Sequence, residues 1–134
     1  MPNSEVLDNL LSRFGDDVVK AVVAAYALVT VYDDDVAEAE VGRFVEHISE
    51  LSEVPPRTAE TLFVELTDAM RADRDAAEEA ALGYIRAVKD EPGAASKIQK
   101  SARIAAVADV HLDVRETVIL QSIAETLGVD PEAM

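Results

Sequence analysis

The sequence predicts an all-α protein, a compact bundle of about seven helices. Three observations carry this reading. Apolar residues recur at spacings of three and four rather than two, the pattern of amphipathic helices. Aromatic residues make up only 4% of the chain, so strand-favouring side chains are scarce. Gly and Pro punctuation falls at Gly15, Pro55-Pro56, Pro92-Gly93 and Gly128, dividing the chain into helix-sized segments.

A short first helix fits Glu5 to Phe14, with Val6, Leu10, Leu11 and Phe14 on one face and Ser4 as N-cap. The second fits Asp16 to about Tyr32 and is apolar nearly all round, which marks a helix enclosed by others. A third runs from about Val36 to Leu51, with Val41, Phe44, Val45, Ile48 and Leu51 inward, and Pro55-Pro56 ends that segment. The fourth, about Arg57 to Ala72, offers Leu62, Phe63, Leu66 and Met70. The fifth, about Ala76 to Lys89, offers Ala80, Leu82, Tyr84, Ile85 and Val88 before "DEPG" breaks the chain. The acids around Asp75 to Glu79 read as a solvated helix start, where negative charge complements the dipole. The sixth, about Ala94 to Ala108, carries Ile98, Ile104 and Val107; the seventh, about Val114 to Leu127, carries Val118, Ile119, Ile123 and Leu127. Short links throughout imply helices packed side by side. Tyr26, Tyr32 and Tyr84 are expected to be half-buried in the core.

A chain of 134 residues and 14.4 kDa is expected to form one domain over 1–134. Surface scaling gives a folded area of roughly 7,000 Å². The apolar fraction of 49% is enough for a core, and the absence of cysteine excludes disulfides and thiolate metal sites. The net charge is −15, from 12 Lys+Arg against 27 Asp+Glu. Such a surface repels nucleic-acid phosphates and anionic lipid headgroups, and it suits a cation or a basic protein partner. The N-terminus lacks a basic segment followed by an apolar one, so no secretory signal is expected. The most apolar run, Val18 to Tyr32, is interrupted by Lys20 and is shorter than the roughly 20 residues that span a bilayer. The expectation is a soluble, cytoplasmic protein without direct membrane insertion.

The stretch "VTVYDDDVAE" drives three aspartates into the end of an apolar helix, where the dipole favours cations. An internal repeat accounts for part of this. At an offset of 76 residues, Asp33 falls on Asp109, Glu40 on Glu116, Leu51 on Leu127 and Pro55 on Pro131. Identities are few; the shared order of apolar helix, acidic turn, amphipathic helix, Leu and Pro carries the repeat. It predicts two pseudo-repeated helical hairpins, each with Asp at the turn and Glu seven residues on. Asp113 with Glu116, and Asp35 with Glu38, also fit capping boxes. Asp33 and Asp109 have no such explanation.

Along most of its length the chain resembles the tellurite-resistance TerB family and its TerB-like relatives. These are all-helical domains with two turns of the form Ala-Asp-Gly-x-(Ile/Val)-x-x-x-Glu. The counterparts here are "YDDDVAEAE", Tyr32 to Glu40, and "ADVHLDVRE", Ala108 to Glu116. The ending "TLGVDPEAM" resembles the family's Leu-Gly-(Leu/Val)-x-Pro. The resemblance implies an acidic cluster as a candidate divalent-metal site, with Asp33, Glu40, Asp109 and Glu116 at the matching positions. It also implies a stress-response role connected with tellurite resistance. The family glycine is replaced by Asp34 in the first turn and Val110 in the second. A β-branched residue disfavours positive φ, so Val110 implies an altered second turn. Ala37 stands where the family often has a capping Ser or Asp, which leaves that role to Asp35.

Other chemistry is excluded by spacing. An EF-hand starting at Asp33 would place Ala37 and Phe44 at its fifth and twelfth positions, where Ca²⁺ needs oxygen ligands. There is no His-Glu-x-x-His, P-loop or dinucleotide-binding glycine motif, and no nucleophile set with His and acid. An enzyme is therefore not expected. His47 lies on the third helix, and His111 in the second acidic turn could join Asp109 in a mixed N/O site. The alternative to metal binding is a metal-free acidic interaction module that docks a basic partner. The sequence leaves homo-oligomerisation open.

Overall fold

The computed structural model describes residues 2–31, 38–107 and 114–128, with side chains described for 6–31, 41–105 and 118–128. Among them are seven helices and no strand: α1 (Pro2–Ser12), α2 (Asp17–Val31), α3 (Glu38–Ser49), α4 (Pro56–Ala72), α5 (Arg74–Val88), α6 (Ala94–Val107) and α7 (Val114–Leu127). The punctuation explains most boundaries. Pro56 occupies the first position of α4, where a missing N–H is harmless. Asp73 separates α4 from α5 and accepts from the Ala76 N–H at 3.2 Å, satisfying a free donor of the α5 start. Gly128 takes φ 75° directly after α7, a left-handed conformation that glycine adopts at little cost.

The helix α2 is the axis of the fold. Every residue from Ala21 to Val31 is buried. It packs most extensively on α5 and α6, and α1, α3, α4 and α7 complete the enclosure. Its valines are indifferent helix formers; burial on all sides makes the segment a helix. Ala21, Ala24, Ala25 and Ala27 are fully buried, and small side chains let neighbouring helices approach closely.

One end of the core is aromatic. Phe44 of α3 stacks on Phe63 of α4 at 4.1 Å between centroids. Phe14 and Tyr26 meet Phe44 edge-on at 5.7 and 5.3 Å. The Ser52 hydroxyl donates to the Phe14 carbonyl, fastening the segment after α3 to the α1–α2 link.

Several sequence expectations need correction. The α1 helix starts at Pro2, so Ser4 lies inside it and is not its N-cap. Its inward stripe is Leu7, Leu10 and Leu11, continued by Phe14 in the link that follows, whereas Val6 is 46% exposed. The i, i+3, i+4, i+7 set begins one residue later than the sequence reading placed it. Val118 of α7 is 53% exposed, because Ile119, Ile123 and Leu127 form the buried stripe. Ile104 is only partly buried, and Ile98, Ala102 and Ala105 form the inner face of α6. Tyr26 is fully rather than half buried, while Tyr84 is partly buried as expected.

The two helices that precede the acidic segments differ in surroundings. The second half of α2 is buried all round, whereas α6 exposes Lys97, Lys100 and Arg103.

The accessible area is 7086 Å², the size expected for a compact chain of this mass. On this surface, Lys20–Asp17 at 3.4 Å and Arg71–Asp68 at 3.1 Å are local i,i+3 ion pairs, a type that contributes little. With a net charge of −15, self-repulsion opposes compaction, and added salt screens it. The melting temperature followed by circular dichroism is therefore expected to rise from low to moderate NaCl. A flat or falling response would show that the acids are compensated locally.

Candidate functional site

The two acidic junctions link α2 to α3 and α6 to α7. Asp33 and Asp109 lie outside the described residues, as do Tyr32, Asp34, Asp35, Ala37, Val110, His111 and Asp113. Glu40 lies in α3 and Glu116 in α7; their side chains lie outside the described set. Among the described residues, no group of three or more His, Asp or Glu is arranged to hold a metal ion.

His47 of α3 touches both α2 and α6. It projects from α3, on the flank of the stripe formed by Phe44 and Ile48. Its ring stacks on Tyr26 of α2, with centroids 6.0 Å apart and planes inclined by 26°. Its Nε2 lies 2.7 Å from Oγ of Ser101 on α6. The Ser101 hydroxyl donates its one proton to the Lys97 carbonyl at 2.8 Å. His47 Nε2 must therefore be the donor to Ser101. Nδ1 then carries the lone pair of the neutral ring. Around the imidazole, Arg43, Glu46, Glu50, Lys100 and Ile104 line an open cleft of about 440 Å³.

Burial holds the His47 pKa below its ordinary value of 6.5; Glu50 pulls it up and Lys100 pushes it further down. The sign for stability follows directly. The unfolded chain takes up the proton first as pH falls, so the fold loses stability from about pH 6.5 downwards, until the folded-state pKa is also passed. Urea unfolding at pH 7.5 and pH 5.5 is expected to show a larger loss in the wild type than in His47→Gln. Equal losses would remove His47 from the pH response, since the carboxylates are common to both proteins.

Sequence reasoning placed His47 on the third helix without assigning it a role. The available signal was its place one residue before Ile48 of the inward stripe. Its partners could not be foreseen, because Ser101 is 54 residues away.

Among the described residues the fold is an all-helical bundle built round one enclosed helix. The chain belongs to the TerB family: the family model described as tellurite resistance protein TerB matches residues 19–134. The match begins within α2 and leaves α1 outside. No curated protein and no solved structure matches the chain. No described helix is long and apolar enough to cross a membrane.

Proposed function

We propose that this TerB-family chain is a non-catalytic domain that binds one divalent cation between its two acidic junctions, through Asp33, Glu40, Asp109 and Glu116. We connect that role with tellurite resistance, which the family's description names, and with a stress response. One observation supports the reading: α2 and α6, the helices that lead into the two junctions, pack directly on each other, and the TerB family match spans both junctions. Four carboxylates brought together repel, and one takes up a proton unless a cation neutralises them. A hard divalent ion suits such an all-oxygen set.

The test is calorimetric titration with Ca²⁺, Mg²⁺, Mn²⁺ and Zn²⁺, with melting followed in parallel. Saturable binding is expected. At a free concentration of about 100 times Kd, the bound cation should add roughly 2.7 kcal/mol of stability. Asp33→Asn combined with Asp109→Asn is expected to abolish both effects. No saturable binding of any of the four ions would overturn the proposal. The net charge of −15 favours a second reading, a metal-free module that docks a basic protein segment. That reading predicts salt-sensitive binding of a lysine-rich peptide, unaffected by chelator.

A further inference from the structure

We propose that the outer groove between α3 and α4 is a self-association surface. Its occupant is a second copy of this chain, related by a two-fold axis that sets Arg57 of each copy against Glu60 of the other. The proposal is independent of the cation reading.

The groove has a volume of about 520 Å³, and Val41 and Val45 of α3 and Val64 of α4 give it apolar walls. Val64 is 41% exposed, and Val41 and Val45 are only partly buried. Two features of this groove have no explanation within one chain. The first is Gly42, which also lines it. Gly42 lies inside α3, where glycine weakens a helix relative to alanine. It has no positive φ, and an added Cβ would meet nothing within 4 Å. Neither its own backbone nor its neighbours require a glycine. A bare Cα on an exposed helix face instead lets another backbone approach closely. The second feature is Arg57. It stands in the first turn of α4, which holds no acidic residue and has no side-chain cap from Pro55. That is the positive end of the helix dipole, where a cation is unfavourable. Among the described residues Arg57 forms no ion pair, and neither does Glu60 one turn on. Asp68 and Arg71 of the same helix, at the same spacing, do pair. Arg57 and Glu60 both line the groove, so the surface carries a cation short of a carboxylate beside a carboxylate short of a cation. A two-fold contact satisfies both at once, because residue i meets j and j meets i. The same contact brings the valines of the two copies together and removes them from water. Elsewhere a net charge of −15 opposes association, whereas the groove holds one charge of each sign. Two acidic copies can therefore touch here without added local repulsion.

The experiment is sedimentation equilibrium of the full chain in about 0.15 M NaCl, where charges are screened beyond about 8 Å. Protein concentration runs from about 10 µM to 1 mM, which covers weak complexes. The wild type is expected to show a reversible monomer–dimer equilibrium. Arg57→Glu leaves only carboxylates at the two positions, and Glu60→Arg leaves only guanidinium groups. Each alone is expected to weaken dimerisation about tenfold or more, because like charges then face each other. Mixed in equal amounts, the two variants are expected to associate about as tightly as the wild type, since each supplies the charge the other lacks. Gly42→Gln is expected to raise the melting temperature of dilute protein, as a better helix former with room for its side chain, and to weaken dimerisation by blocking the close approach. Circular dichroism of each variant at low concentration verifies that it is folded. A wild type that stays monomeric up to about 1 mM would overturn the proposal and leave the groove to a segment of another protein. Dimerisation that neither charge reversal weakens would place the interface elsewhere on the molecule, and overturn it too. Mixed variants that fail to associate, each being monomeric alone, would overturn the two-fold pairing.

Discussion

Phe44→Ala is expected to lower the unfolding free energy by about 3–5 kcal/mol, near the top of the range for a single core truncation. Phe44 is fully buried and is the hub of the aromatic cluster. It stacks on Phe63 and takes the edges of Phe14 and Tyr26. Its removal loses the burial of a large side chain and the ring–ring geometry. It also leaves a cavity lined by rigid rings that cannot collapse easily. Those rings come from the α1–α2 link, α2 and α4, so the damage falls on several elements at once. Urea denaturation at neutral pH checks it. A loss below about 1 kcal/mol would mean that the cluster does not hold α3 to the core as described.

The second large effect contrasts two residues that the sequence repeat makes equivalent. Leu28 and Ile104 occupy matching positions at the 76-residue offset, and both read as central from sequence. The structure separates them: Leu28 is 1% exposed in the enclosed helix α2, whereas Ile104 is partly buried and lines the open cleft beside His47. Leu28→Ala is expected to cost about 2–5 kcal/mol. Ile104→Ala should cost less than half as much, because water already reaches the site and fills the space left behind. Chemical denaturation of the pair decides it. Equal losses would contradict the different surroundings of α2 and α6.

The helices were legible because their signals are local. Pro55-Pro56, Pro92-Gly93 and Gly128 interrupt the chain wherever they lie, and a proline or a left-handed glycine acts on its own neighbours. The enclosed character of α2 was legible because a segment apolar on every face has nowhere else to go. The faces of α1 and α7 were less so. Val6 and Leu7, or Val118 and Ile119, are adjacent apolar residues that point about 100° apart. Composition cannot say which of the two meets the core; the position of the neighbouring helix does. The paired acids were legible as a repeat and a family motif.

By itself, then, the sequence determined that this chain is a helical, strongly acidic TerB-family protein, since periodicity, punctuation and charge are properties of short stretches and of sums. Only the tertiary structure decided that α2 is the axis while α6 lies towards solvent, and that His47 stands between Tyr26 and Ser101. The physical reason is that these contacts join residues 21 and 54 positions apart. Which helices lie side by side depends on how all the apolar faces are buried at once. No local stretch carries that information; the packed core does.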